Sequence, residues 1–151
     1  MCKNISFIGE FNSKADSKFR VSVPAPFRKE VADADENTFV LQKNLFDDCI
    51  DMYPLCEWKR MVAEIRFKLN FFNKKHILFF REFCRGTKEV NLDSNGRILL
   101  PKHMLELVDI DKEMVFIALD SKIQIWNEEK YGSLALDGLS LTNLASEIFK
   151  K

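Results

Sequence analysis

Two stretches decide how this chain reads: Asp16-Ser17-Lys18-Phe19-Arg20-Val21-Ser22-Val23-Pro24 and Asp93-Ser94-Asn95-Gly96-Arg97-Ile98-Leu99-Leu100-Pro101. An offset of 77 lays one on the other, with Asp, Ser, Arg and Pro in register and apolar residues matched at Val21/Ile98 and Val23/Leu100. The same offset places Gly9 on Gly86, Val31 on Val108 and Phe39 on Phe116. Further along, an offset of 73 places Ile50 on Ile123, Met52 on Ile125 and Tyr53 on Trp126. Self-similarity at a fixed period marks a duplicated structural unit. The change of offset implies a loop four residues longer in the first copy.

Each copy reads as one small unit. A strand runs into a tight turn, Asp16 to Phe19 or Asp93 to Gly96, and a second strand alternates apolar residues, Val21 and Val23 or Ile98 and Leu100. Pro24 or Pro101 ends that strand, because proline lacks the ladder donor and suits the first turn of a helix. A short helix follows, over Ala25 to Val31 and Lys102 to Val108. Two more strands close the unit: Thr38 to Gln42 with Cys49 to Tyr53, and Met114 to Leu119 with Lys122 to Trp126. Four strands cannot bury their own face, so the two copies are expected to interdigitate into one barrel-like core.

Between the copies lies a helical insert. Trp58, Met61, Val62, Ile65 and Leu69 form one stripe at helical spacing, with Pro54 placed for a helix start. A second helix over Asn73 to Cys84 carries Ile77, Phe80 and Cys84 on one face and Phe79 and Phe83 on another. Phe67, Phe71 and Phe72 lie at the join. So wide an apolar surface predicts that a second subunit covers part of it, with burial inside the monomer as the alternative. The boundaries expected are 4–54 for the first repeat, 55–84 for the insert, 85–131 for the second repeat and 132–151 for the tail. The tail has a weak helical stripe of Leu141, Leu144, Ala145 and Ile148 and reads as a docking helix or a mobile segment.

The 151 residues are 46% hydrophobic with zero formal net charge, enough for one core or two small cooperating ones. No leader-like start and no stretch of roughly 18 apolar residues is present, so a soluble intracellular protein is expected. Cys2, Cys49, Cys56 and Cys84 form no Cys-x-x-Cys pair, and only His76 and His103 are available to complete a zinc set. Ordinary reduced thiols and no metal are expected. The neutral total hides a segregated distribution. Lys14 to Glu30 carries five bases against two acids, Asp33 to Glu57 one base against seven acids, and Arg85 to Lys102 four bases against two acids. No nucleophile–base pairing, metal spacing, Gly-rich phosphate loop or self-processing Gly-Ser step is found, so the chain is not expected to be an enzyme and no cofactor is expected. His103 reads as a lone surface histidine.

An aspartate opening a tight turn accepts from backbone N–H groups two residues on, and Gly96 suits the left-handed position that most residues avoid. The following arginine has two uses: pairing with the aspartate, or projecting to a phosphate or a guanine edge. Two copies flanked by Lys14, Lys18, Arg28, Lys88 and Lys102 favour binding.

The chain resembles the MraZ family, transcriptional regulators encoded at the head of bacterial division and cell-wall gene clusters. The residues that carry the resemblance are Gly9-Glu10-Phe11 with Asp16 to Pro24, then Gly86-Thr87-Lys88-Glu89-Val90-Asn91-Leu92 with Asp93 to Pro101. Tyr53-Pro54-Leu55, Trp58 and Ile125-Trp126 support it, and it spans Ile5 to Tyr131. The resemblance implies an α+β, AbrB-like (double-psi-like) swapped-hairpin fold with two pseudo-repeats. It also implies a ring homo-oligomer on repeated promoter boxes in double-stranded DNA, in the cytoplasm at the nucleoid. Carried over by position, Arg20 and Arg97 are the DNA contacts, with Lys18, Lys14 and Lys102 beside them, while Asp16, Asp93 and Gly96 shape the turns. The alternative is an antitoxin-like protein-interaction module of the same fold. One departure stands out: the family has glycine before the motif arginine in both copies, and here the first has Phe19. Phenylalanine is costly at positive φ, so that turn is expected to have a different shape or a negative φ.

Overall fold

The structure, a computed structural model, describes residues 3–150. In chain order the elements are β1 (Glu10–Lys14), β2 (Arg20–Ser22), α1 (Ala25–Asp33), β3 (Thr38–Lys43), β4 (Cys49–Pro54), α2 (Leu55–Lys68), α3 (Lys74–Cys84), β5 (Lys88–Asn91), β6 (Arg97–Leu99), α4 (Lys102–Leu107), β7 (Glu113–Leu119), β8 (Lys122–Asn127), α5 (Glu128–Ser133) and α6 (Gly138–Ile148). All four prolines sit at helix starts. Pro24, Pro54 and Pro101 are the N-cap residues of α1, α2 and α4, and Pro26 lies in the first turn of α1. Their missing N–H costs nothing where no intrahelical bond is available, and their restricted φ turns the chain from strand to helix. Side chains cap the other three helices: Asn73, Asn127 and Asp137 each accept a backbone N–H from the first turn.

The halves exchange strands. One antiparallel sheet has the order β1-β7-β8-β4-β3-β5, and a separate two-stranded ribbon pairs β2 with β6. Thus β1 pairs with a strand of the second copy, and β5 with a strand of the first. The pairing has an internal two-fold character. Ile50 faces Ile125 and Met52 faces Ile123 across β4 and β8, and Arg20 faces Leu99 while Ser22 faces Arg97 across the ribbon. Swapping the copies maps each of these pairs onto its partner.

This registry refines the repeat. Leu41 pairs with Met52, and Phe116 pairs with Ile125, so the counterpart of Phe116 is Leu41 and not Phe39. The extra length of the first copy is therefore split. Part lies before β3, where α1 is longer than α4, and part in the β3–β4 loop, which is longer than the tight Asp120-Ser121 turn of β7–β8.

The larger hydrophobic core lies between the sheet and the ribbon, and a smaller cluster of Cys49, Val115, Ile117 and Trp126 is separate from it. Leu41, Ile50, Met52, Phe116, Ile123 and Ile125 point inward from the sheet, and Val21, Val23, Ile98 and Leu100 from the ribbon and its continuation. Phe27 and Val31 of α1, with Met104 and Leu105 of α4, close its ends. Phe7 and Phe11 meet Phe27 edge-on at 5.3 and 5.2 Å. The sheet does not close on itself as a barrel would. Its edges are β1 and β5, and the ribbon folds over the core as a lid instead of continuing the ladder.

The insert packs on the outer face of β3 and β4. Trp58 meets Tyr53 and stacks on Phe83, whose carbonyl accepts from the buried Gln42 side chain at 2.6 Å. Trp58, Met61, Val62 and Ile65 form the half-buried stripe of α2, and the half-buried Leu69 follows as its C-cap residue. Phe67 and Phe72, near the join of α2 and α3, are almost fully exposed at 93% and 101%. The tail segment is helical, but α6 buries no residue. Cys49 and Cys84 carry free thiols, and burial pushes the Cys49 thiol up to about 12. Cys56 is disulfide-bonded, against the expectation of reduced cysteines throughout. Among the described residues, no helix is long and apolar enough to cross a membrane.

Candidate nucleic-acid interface

The two aspartates build the same turn twice. Asp16 Oδ1 accepts the backbone N–H of Lys18 and of Arg20, each at 2.9 Å. Asp93 Oδ1 accepts those of Asn95 and Arg97 at 2.8 and 2.9 Å. The backbone closes each loop: Asp16 N–H donates to the Arg20 carbonyl and Asp93 N–H to the Arg97 carbonyl, both at 2.9 Å. The second carboxylate oxygen takes the arginine side chain, Arg20 Nε at 3.0 Å and Arg97 Nε at 3.3 Å. The Arg20 backbone N–H and its guanidinium hold the Asp16 carboxyl below its usual range, and Arg97 does the same for Asp93. Both carboxylates are ionised at neutral pH.

The ribbon brings the two turns into one unit. Side chains alternate along a strand, so Val21 and Ile98 point into the core while Arg20, Ser22, Arg97 and Leu99 share the outer face. Arg97 Nη1 also reaches Asp16 Oδ2 of the other turn at 3.7 Å. The turns are stitched across the repeat as well: Val23 N–H donates to the Gly96 carbonyl at 3.0 Å and Leu100 N–H to the Phe19 carbonyl at 2.9 Å. Arginine pairing with aspartate and arginine facing outward are therefore compatible. Each guanidinium is steered by its carboxylate and stays partly exposed, at 37% for Arg20 and 28% for Arg97.

The expectation about Phe19 is corrected. Its φ is 63°, beside 74° for Gly96, so both turns have one shape and phenylalanine occupies a left-handed position. Compensation comes from packing. The ring lies against the core and Lys102 Nζ sits 6.0 Å from its centroid. The matching space beside Gly96 is filled from the opposite side by Arg28, whose Cδ and Nη1 lie 2.6 Å from where a Cβ on Gly96 would stand. A side chain at Gly96 would be strained by its φ and would displace Arg28 from this close approach. Reading the chain alone lists Arg28 among flanking bases but does not place it there, because its partner is 68 positions away, across the exchanged ribbon.

The remaining candidates divide. Lys18 is exposed at the tip of the first turn, and Lys102 is exposed at the start of α4 beside Phe19. Lys14 ends β1 opposite Glu113 and lines a cleft of about 420 Å³ with Asp109, Asp111, Glu128 and Glu129, so acidic neighbours offset its charge. His103 is exposed. Among the described residues, no group of three or more His, Cys, Asp or Glu is arranged to hold a metal ion.

The chain is similar to known proteins. A family model described as "MraZ protein, putative antitoxin-like" matches residues 6–81 and again 83–150. The chain belongs to the MraZ family. It is 42% identical to the transcriptional regulator MraZ of Bacteroides thetaiotaomicron, over 83% of this chain and 81% of that protein. It is 36% identical to that of Bacteroides fragilis, over 97% and 93% of the two chains. For the transcriptional regulator MraZ of Clostridium acetobutylicum the identity is 37%, over 94% and 98%. The two matched segments of the MraZ model lie on either side of residue 82, so the family unit occurs twice in this chain.

Proposed function

We propose that this chain is a sequence-specific DNA-binding transcriptional regulator of a bacterial division and cell-wall gene cluster, working as a ring-shaped homo-oligomer on repeated promoter boxes. The observation that carries this reading is the outer face of the β2–β6 ribbon, where two aspartate-braced turns present Arg20 and Arg97 side by side. A β-ribbon of this kind fits a major groove about 12 Å wide, and a braced guanidinium suits bidentate contact with a guanine edge. Lys18 and Lys102 add phosphate contacts, while Lys14 contributes less from its acidic cleft. The exchanged strands support an AbrB-like swapped-hairpin unit, with 4–54 and 85–131 as the repeats and 55–84 as the insert. The near-fully exposed Phe67 and Phe72 are surfaces for a neighbouring subunit. Assembly makes a neutral chain competent: each added site acts at high effective concentration once its neighbour has bound. Such a protein works in the cytoplasm at the nucleoid.

The reading is tested by affinity for a duplex carrying the region upstream of the protein's own gene. Arg97→Ala is expected to weaken binding strongly at matched salt while the assembly stays intact. Unchanged affinity would count against it. A second reading, an antitoxin-like interaction module, is favoured by the printed description of the family model and by α6, whose apolar residues are uncovered. A stoichiometric small protein that copurifies with the chain would support that reading.

A further inference from the structure

Between them, the two turn aspartates and the two motif arginines carry no net charge. Asp16 and Asp93 are ionised and each is bonded to one arginine, with Arg97 shared between both carboxylates. Binding to a polyanion therefore needs a cation near the turns that is not already neutralised. Lys18 and Lys102 are exposed and sit on flexible stems. Arg28 differs from both. Its Nε donates to the Val23 carbonyl at 2.9 Å, and its stem and Nη1 press against Gly96, the residue before Arg97. No carboxylate pairs with it among the described residues, and none of its Nη hydrogens is used in a hydrogen bond there. A guanidinium held on one edge, with its far nitrogens unspent, is preorganised for an anion.

The second half supplies no equivalent. Arg28 and Leu105 both donate their backbone N–H to the carbonyl of the preceding motif proline, so Leu105 is the counterpart of Arg28. Leu105 is buried in the core, and the first turn carries Phe19 at the position of Gly96. One turn thus has glycine with arginine laid over it, and the other has phenylalanine packed against the core that also holds Leu105.

We propose that Arg28 is a phosphate-binding residue of the DNA-contacting face, acting beside the Asp93–Arg97 turn and making the two turns unequal. This rests on the DNA-binding reading above. In the complex the Arg28 Nη groups donate to a backbone phosphate next to the base pairs that Arg97 reads, while the first turn relies on Lys18 and Lys102.

The test measures affinity across a salt series for the duplex carrying the protein's own upstream region, using wild type, Arg28→Gln, Arg28→Lys and Arg97→Ala, with the melting temperature of each. Arg28→Gln is expected to bind about tenfold more weakly, the size of a lost charge-assisted hydrogen bond. The slope of log affinity against log salt should become shallower by about one per chain engaged. Arg28→Lys is expected to restore the slope. A purely structural role would lower affinity without changing the slope, and that outcome overturns the proposal. So does an Arg28→Gln protein that matches wild type while Arg97→Ala fails to bind, a result that leaves the DNA-binding reading standing. A wild-type protein that does not distinguish this duplex from a scrambled one overturns the DNA-binding reading itself, and this proposal with it.

Discussion

Phe19 occupies a backbone position with φ 63° that its counterpart Gly96 reaches at 74°. A side chain there costs about 1–2 kcal/mol in backbone strain, and the ring offsets it through contact with the core and with Lys102. Removing the ring while keeping a Cβ retains the strain and forfeits the packing. Phe19→Ala should therefore destabilise the protein more than Phe19→Gly, by about 1 kcal/mol in urea unfolding; equal values would mean that the turn carries no strain. The carboxylates give a second residue-scale expectation. Asp16 and Asp93 titrate below their usual values because Arg20 and Arg97 hold their charged forms. A group with a depressed folded pKa contributes stability that is complete above its unfolded value, near ~3.9, and is lost as pH falls through the folded value. The Asp16→Asn, Asp93→Asn double variant should therefore be less stable than wild type at pH 7, with the gap closing in acid below both values. A gap that stays constant with pH would show that the carboxylate charge contributes nothing.

At the scale of elements, what was legible in the chain was whatever local chemistry dictates. Prolines mark three helix starts, alternating apolar residues mark β2 and β6, and the Trp58-to-Leu69 spacing marks the half-buried face of α2. The shape of the second turn was legible too, since aspartate followed by glycine at the left-handed position leaves few alternatives. What was not legible depends on partners far apart in the chain. The sheet's open edges follow from how the ribbon folds over the core, and the true counterpart of Phe116 emerges only from strand registry. Phe19 departs from the sequence expectation because the cost of positive φ is local, whereas its compensation comes from the core and from Lys102 of the other copy. The apolar stripe of the tail fits either a docking helix or a mobile segment. It is helical, with Asp137 accepting from Ser140 N–H, yet α6 buries none of its leucines. Truncation after Leu136 should thus leave thermal stability of the chain within the roughly 0.5 kcal/mol range of surface changes. A large drop in melting temperature would mean that α6 is covered in solution.

For the molecule as a whole, segregation and repetition would reconcile zero net charge with the proposed DNA-binding role. Positive groups gather at the ribbon, while Lys14 shares a cleft elsewhere with Asp109 and Asp111 before β7, Glu113 of β7, and Glu128 and Glu129 of α5. In the proposed reading, two turns per chain, multiplied by assembly through the exposed phenylalanines, would convert weak individual contacts into selective binding of a repeated target. The central claim is that these turns read DNA sequence, and nuclease protection on the region upstream of the protein's own gene tests it most directly. Wild type is expected to protect short repeated boxes at a regular spacing, Arg97→Ala to lose them, and Arg20→Ala to lose or weaken them. Featureless protection along the duplex, or a footprint unchanged when both arginines are replaced, would contradict it.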